Sequence, residues 1–234
     1  MESYAKFSPD KLVSDLENIK TDSKFEKAFE VAKLDAEGWK WHNEAQKSIF
    51  LSVNYDKYYQ KFFEIKKQVD ASLFSIPLKY SEVTADFISI AAKYHDFAED
   101  ERYNKYKIFF WEQVKTNLIL RYQSYFLAKK KTNVISELST SEKNTAVSLG
   151  TLEQQQWERH HYKDFGTFIK VTTNFFEILL NDPNRAKLAS FHLAQASHFH
   201  DLGENYEHTN KNESDLNWKL AFKGLILHYY YALP

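Results

Sequence analysis

Cysteine is absent from the chain, which excludes disulfides, thiolate metal sites and cysteine nucleophiles. Glycine and proline are scarce, at 5 and 4 of 234 residues, so the many turns of a sheet protein are not expected. So few glycines cannot build the phosphate cradle of a Rossmann or P-loop fold. No apolar run approaches the roughly 18 residues of a spanning helix. Residues 1–4 lead straight into Lys6 with no apolar signal-peptide core. Neither sign of charge dominates, with 31 basic and 32 acidic residues. The net basic footprint of a nucleic-acid binder is therefore missing, and nucleic acid is not an expected partner.

What the chain has in quantity is aromatic residues: 19 Phe, 15 Tyr and 5 Trp. Over residues 152–180, Trp157, His161, Phe165, Phe168, Thr172, Phe175 or Phe176, and Leu179 recur three or four residues apart. That spacing stacks them on one side of a long helix, which must be covered by another helix. The fold class expected is all-α: an elongated multi-helix bundle in which two or three long helices form the spine. A single domain over 1–234 is expected, with an N-terminal helical subregion over 1–76 and a helical spine over 81–234.

Along the chain, Ser8 followed by Pro9 is a helix start, with serine as cap and proline in the first turn. Phe50, Val53, Tyr58 or Tyr59, Phe62, Ile65 and Val69 describe one helical face, and Pro77 breaks the chain after it. Helical spacing resumes at Ser81 and continues through Phe87, Ile88, Ala91, Tyr94 and Phe97, then from Tyr103 to Lys131. If unbroken, this stretch makes a rod some 45 to 50 residues long, reaching about 70 Å. Residues 129–150 read as a connection, with Gly150-Thr151 as a stop and restart. Asn181-Asp182-Pro183-Asn184 ends the long helix. A polar loop is expected over 203–215 and a final apolar helix over 216–231.

Two kinds of chemistry can be weighed. A carboxylate-bridged metal bundle wants Glu-x-x-His on paired helices. Glu158-x-x-His161 has that spacing, but no second copy lies in a matching helix. Histidines are frequent late in the chain, and His192 and His198 are further candidates for a metal formed by tertiary packing. No Gly-x-Ser-x-Gly elbow is present. These residues define the alternative reading, a metal-dependent carboxylate/histidine helical-bundle enzyme.

The favoured reading is a non-catalytic helical scaffold that recognises another protein or itself, with no cofactor. Its anchors would be exposed aromatic side chains, with Trp39, Trp41 and Tyr229, Tyr230 and Tyr231 as candidates. Lys129-Lys130-Lys131 forms a basic group able to meet an anionic membrane surface. The location expected is cytoplasmic, with peripheral membrane contact as a secondary role.

Trp157-Glu158-Arg159-His160-His161-Tyr162-Lys163-Asp164-Phe165 resembles the start of the last helix of BAR domains of the sorting-nexin kind. Tyr122-Gln123 ahead of Lys129-Lys130-Lys131 resembles the middle helix of that family. The resemblance implies a crescent-shaped helical dimer whose tip lysines, here Lys129, Lys130 and Lys131, touch anionic lipid. His160 and His161 depart from it, standing where the family pattern has Glu and Arg, and the chain runs on well past Asp182.

Overall fold

Helix starts are set by short polar signals. In the computed structural model, which describes residues 7–234, Ser8 Oγ accepts from the Lys11 amide at 3.3 Å and Pro9 opens α1 (Pro9–Ile19). The chain continues through α2 (Phe25–Phe50), α3 (Asp56–Leu73), α4 (Leu78–Glu99), α5 (Lys107–Lys130), α6 (Thr140–His161), α7 (Phe165–Leu180), α8 (Pro183–Tyr206) and α9 (Lys211–Ala232). Among the described residues there are nine α-helices, two short 3-10 turns and no strand.

The all-α class holds, but the elongated spine of two or three long helices does not. The helices are between 11 and 26 residues long and pack as bundles. The expected rod is broken at Asp100, whose backbone is extended at φ −76°, ψ 115°, and a 3-10 turn over Glu101–Tyr106 follows. Asp100 also caps that turn, accepting from the Arg102 amide at 3.0 Å. α5 then folds back on α4, joining Ile88, Ala91 and Ala98 to Trp111, Val114 and Leu118 in one apolar cluster. Burying such side chains stabilises by about 1.5–3 kcal/mol for each large one, which a free rod would forgo.

The helix expected over 152–180 is also two. Lys163 takes a left-handed conformation at φ 54°, and Asp164 caps α7 by accepting from the Thr167 amide at 3.1 Å. Conversely, most of 129–150 is helix. Ser139 and Glu142 form a reciprocal capping box, each side chain accepting from the other's amide, at 3.2 and 2.8 Å. Gly150 is no stop: it lies inside α6, where a Cβ would come within 2.5 Å of the Ile119 amide nitrogen. The polar loop expected over 203–215 shrinks to 207–210 between α8 and α9.

The chain divides into two compact units, with the boundaries after Ala36 and after His161. The terminal unit holds α1, the first part of α2, α7, α8 and α9. In it α8 packs along α9, where Gly224 lets the Ala196 backbone approach to 3.0 Å of an added Cβ. The central unit holds the last part of α2 with α3, α4, α5 and α6. There α4 packs on α3 and on α5, and α5 packs on α6. A second apolar cluster joins Ala45 and Ile49 of α2 to Tyr59 and Phe62 of α3 and Ala92 of α4.

Candidate metal centre

The inward face of α4 repeats Ile88, Ala91, Ala92 and Ala98, all nearly or fully buried. The same face places His95 and Asp96 inside the central unit, at 9% and 0% exposure. A buried histidine beside a buried aspartate needs partners, and three neighbouring helices supply them.

His42 of α2 brings Nε2 to 2.9 Å from Asp96 Oδ1, and His95 Nδ1 lies 3.1 Å from the same oxygen. The other oxygen, Oδ2, accepts a short hydrogen bond from the Tyr59 hydroxyl of α3. On its far side His95 points Nε2 at Glu99 Oε1, 3.0 Å away and one helical turn on. Glu99 Oε1 also meets His161 Nδ1 of α6 at 2.8 Å, while Gln46 donates to Oε2. Trp111 and Trp157 stand edge-on to the His95 ring, each at 5.5 Å between centroids.

One ligand atom each from His42, His95 and Asp96 lies within 4.8 Å of the others. The arrangement has the order of a metal site: three converging ligand atoms, with His95 and Asp96 held from behind. Glu99 fixes the His95 ring so that Nδ1 faces Asp96, as the carboxylate partners of metal-bound histidines do. Tyr59 fixes the Asp96 carboxylate, and His161 and Gln46 hold Glu99. Two histidines and a carboxylate suit Zn²⁺ or Fe²⁺ and leave coordination positions open. His42, with 26% of its side chain exposed, marks the side nearest solvent.

The electrostatics of the cluster follow from the same contacts. Burial pushes the His95 pKa down, but Glu99 and Asp96 outweigh it and raise it to about 10. Burial pushes Asp96 and Glu99 up, and their imidazole partners more than reverse this, leaving both below the usual carboxylate range. Burial, with Asp96 alongside, holds the Tyr59 hydroxyl firmly protonated. A cation held between His42, His95 and Asp96 would replace the protons shared in their hydrogen bonds.

Of the metal candidates read from sequence, His161 joins this cluster through Glu99. Glu158 does not: its carboxylate accepts from Gln154 at 3.3 Å. His192 and His198 belong to the terminal unit. His192 is buried against Tyr231, with Nδ1 2.8 Å from Gln195 Oε1. His198 packs on Phe7 and Phe165. A smaller grouping, His200, Asp201 and Glu204, lies on α8, where the His200 nitrogens stand 3.4 Å from each carboxylate.

The residues read as interaction anchors are more enclosed than their types suggest. Trp41 stacks on Tyr58 and lies under the Lys61 ammonium at 3.8 Å. Trp39, Tyr230 and Tyr231 are half-buried, and Tyr230 donates to Asp22 at 3.0 Å. Tyr229 is only 3% exposed. Lys129, Lys130 and Lys131 end α5 in solvent, with Lys130 tied to Glu142 at 2.7 Å.

Sequence reading missed His42, His95, Asp96 and Glu99. The available signal was His95-Asp96-x-x-Glu99 at positions that continue the apolar face of Ile88 and Ala91.

No family model, no curated protein and no solved structure matches the chain. The BAR resemblance therefore rests on the sequence motifs alone. The reading of the chain as a non-catalytic scaffold is overturned by the His42–His95–Asp96 cluster, which favours the metal-dependent alternative.

Proposed function

We propose that the central unit is a metal-dependent helical-bundle enzyme, with His42 Nε2, His95 Nδ1 and Asp96 Oδ1 as ligands. The observation that carries this reading is the convergence of those atoms within 4.8 Å, in a bundle where His95 and Asp96 each have a partner behind them. Glu99 orients His95, Tyr59 orients Asp96, and His161 and Gln46 hold Glu99. Three protein ligands leave room for a water or a substrate oxygen. The chemistry an ion held by His42, His95 and Asp96 would supply is Lewis acidity toward a water or a substrate oxygen.

The test is metal content and affinity in protein purified without a histidine tag, stripped by chelator and titrated with Zn²⁺, Mn²⁺ and Fe²⁺. About one equivalent of one of these ions is expected per chain. His42→Ala and Asp96→Asn should each abolish binding, while His200→Ala should leave it unchanged. Retention of full binding in the His42 and Asp96 variants, or no stoichiometric binding in the parent, would sink the reading.

A further inference from the structure

Around the proposed ion, nearly every buried side-chain polar atom has a partner, and the exception is informative. Both His95 nitrogens, both Asp96 oxygens and both Glu99 oxygens are engaged. Trp111 is not. Its indole nitrogen has no hydrogen-bond partner, and it is the one such atom among the described residues of the central unit. Trp111 is 8% exposed and belongs to one apolar cluster with Ile88, Ala91, Val114 and Leu118. The titratable rings it touches are those of the cluster, His95 at 5.5 Å and His161 at 6.4 Å.

An indole N–H can only donate, and buried donors in folded proteins are nearly always satisfied. A donor left over beside an incomplete ligand set calls for an acceptor that the chain itself does not provide. We propose that Trp111 Nε1 donates to an oxygen ligand held at the ion's open position, and that the ligand is a small carboxylate. This rests on the metal reading above. Charge at the ion itself favours the choice: with Asp96 as its one carboxylate ligand a divalent ion keeps a net +1 in its own shell, which draws an anionic oxygen, while Glu99 behind His95 offsets part of that charge. Shape favours it as well, because Trp111 and Trp157 wall the His95 side with flat apolar surface that suits a short organic acid. The remaining carboxylate oxygen is left to the half-exposed side marked by His42. Trp111 is then a binding residue that selects oxygen acceptors over donors.

The test uses the full chain loaded with Co²⁺ for visible spectroscopy and with Zn²⁺ for NMR, with acetate as the probe. Acetate should perturb the Co²⁺ absorption bands. In the ¹⁵N spectrum of the Zn²⁺ form it should move one of the 5 tryptophan indole signals downfield, the one missing in Trp111→Phe. Trp111→Phe should bind Co²⁺ as the parent does and weaken acetate on the order of tenfold, the loss of one charge-assisted hydrogen bond. Should that variant fail to fold, the Trp111 signal of the parent protein, assigned by elimination with Phe substitutions at the other four tryptophans, still decides.

Unchanged acetate affinity in a folded Trp111→Phe overturns the proposal, as does an unmoved Trp111 signal while acetate binds. So does Co²⁺ binding with no response to acetate. A parent chain that takes up no metal overturns instead the metal reading on which the proposal stands.

Discussion

Arg121 Nη1 lies 2.8 Å from Glu153 Oε1 and 2.9 Å from Oε2, joining α5 to α6 inside the central unit. The same guanidinium reaches Asp70 of α3 at 2.6 Å through Nη2, and Tyr122 donates to Glu153 at 2.6 Å. Burial alone would lower the Arg121 pKa, and the two carboxylates outweigh it and hold the charge firmly in place. Breaking such a pair leaves charges stranded in a dry interior, the costly case for a buried ion pair. Arg121→Met should therefore cost about 3–5 kcal/mol in urea unfolding. A loss under about 1 kcal/mol would mean that water already reaches Asp70 and Glu153.

The helices were largely legible because their starts are local. Ser8-Pro9 announces α1, and Asp182-Pro183, read only as the end of the preceding helix, also caps α8. The break at Lys163-Asp164 was hidden because the aromatic spacing runs on through it, and only the cap distinguishes two helices from one. The site was legible only at His161, through a spacing confined to one helix. His42 and Asp96 stand 54 residues apart in sequence, and no local pattern joins them. Tertiary packing makes that pair, and a buried histidine looks the same in sequence as a solvated one.

Tyr59 tests whether the shell behind the ligands matters. Its hydroxyl is the partner of the Asp96 oxygen that faces away from His42. Tyr59→Phe keeps the ring and its packing in the α2–α3–α4 cluster and deletes only that donor. Removing an outer partner typically costs 10–100-fold in metal affinity, so the variant should bind Zn²⁺ about 10-fold more weakly or worse. Glu99→Gln should behave similarly by loosening the His95 ring. Parent-like affinity in both variants would show that the ligands are held by packing alone.

Gly150 tests the α5–α6 contact without touching any polar group. A methyl at this position would sit 2.5 Å from the Ile119 nitrogen and 2.8 Å from its Cα, both backbone atoms that cannot swing aside. Alanine is the better helix former by about 1 kcal/mol, so propensity alone predicts stabilisation. The clash should win: forced overpacking costs about 1–3 kcal/mol, and the two helices must separate to relieve it. Gly150→Ala should therefore lower the urea midpoint, whereas a rise would show that α5 and α6 lie further apart than described.

His192 sets an acid limit on the terminal unit. Its ring is 2% exposed, stacked on Tyr231, with Gln195 as hydrogen-bond partner and Lys11 and Asp15 as the charged groups of α1 acting on it. Burial lowers its pKa, more than Gln195 and Asp15 raise it. A histidine with a depressed folded pKa binds its proton more readily when unfolded. Stability is then unaffected above the ordinary value near 6.5 and declines as pH falls below it, by up to about 1.4 kcal/mol for each unit of depression. Urea unfolding at pH 7 and pH 5 should show this decline, and His192→Gln should make it shallower. His198, also lowered by burial, remains in the variant and keeps the slope from vanishing. Equal slopes in the two proteins would mean that His192 takes up its proton inside the folded unit without penalty.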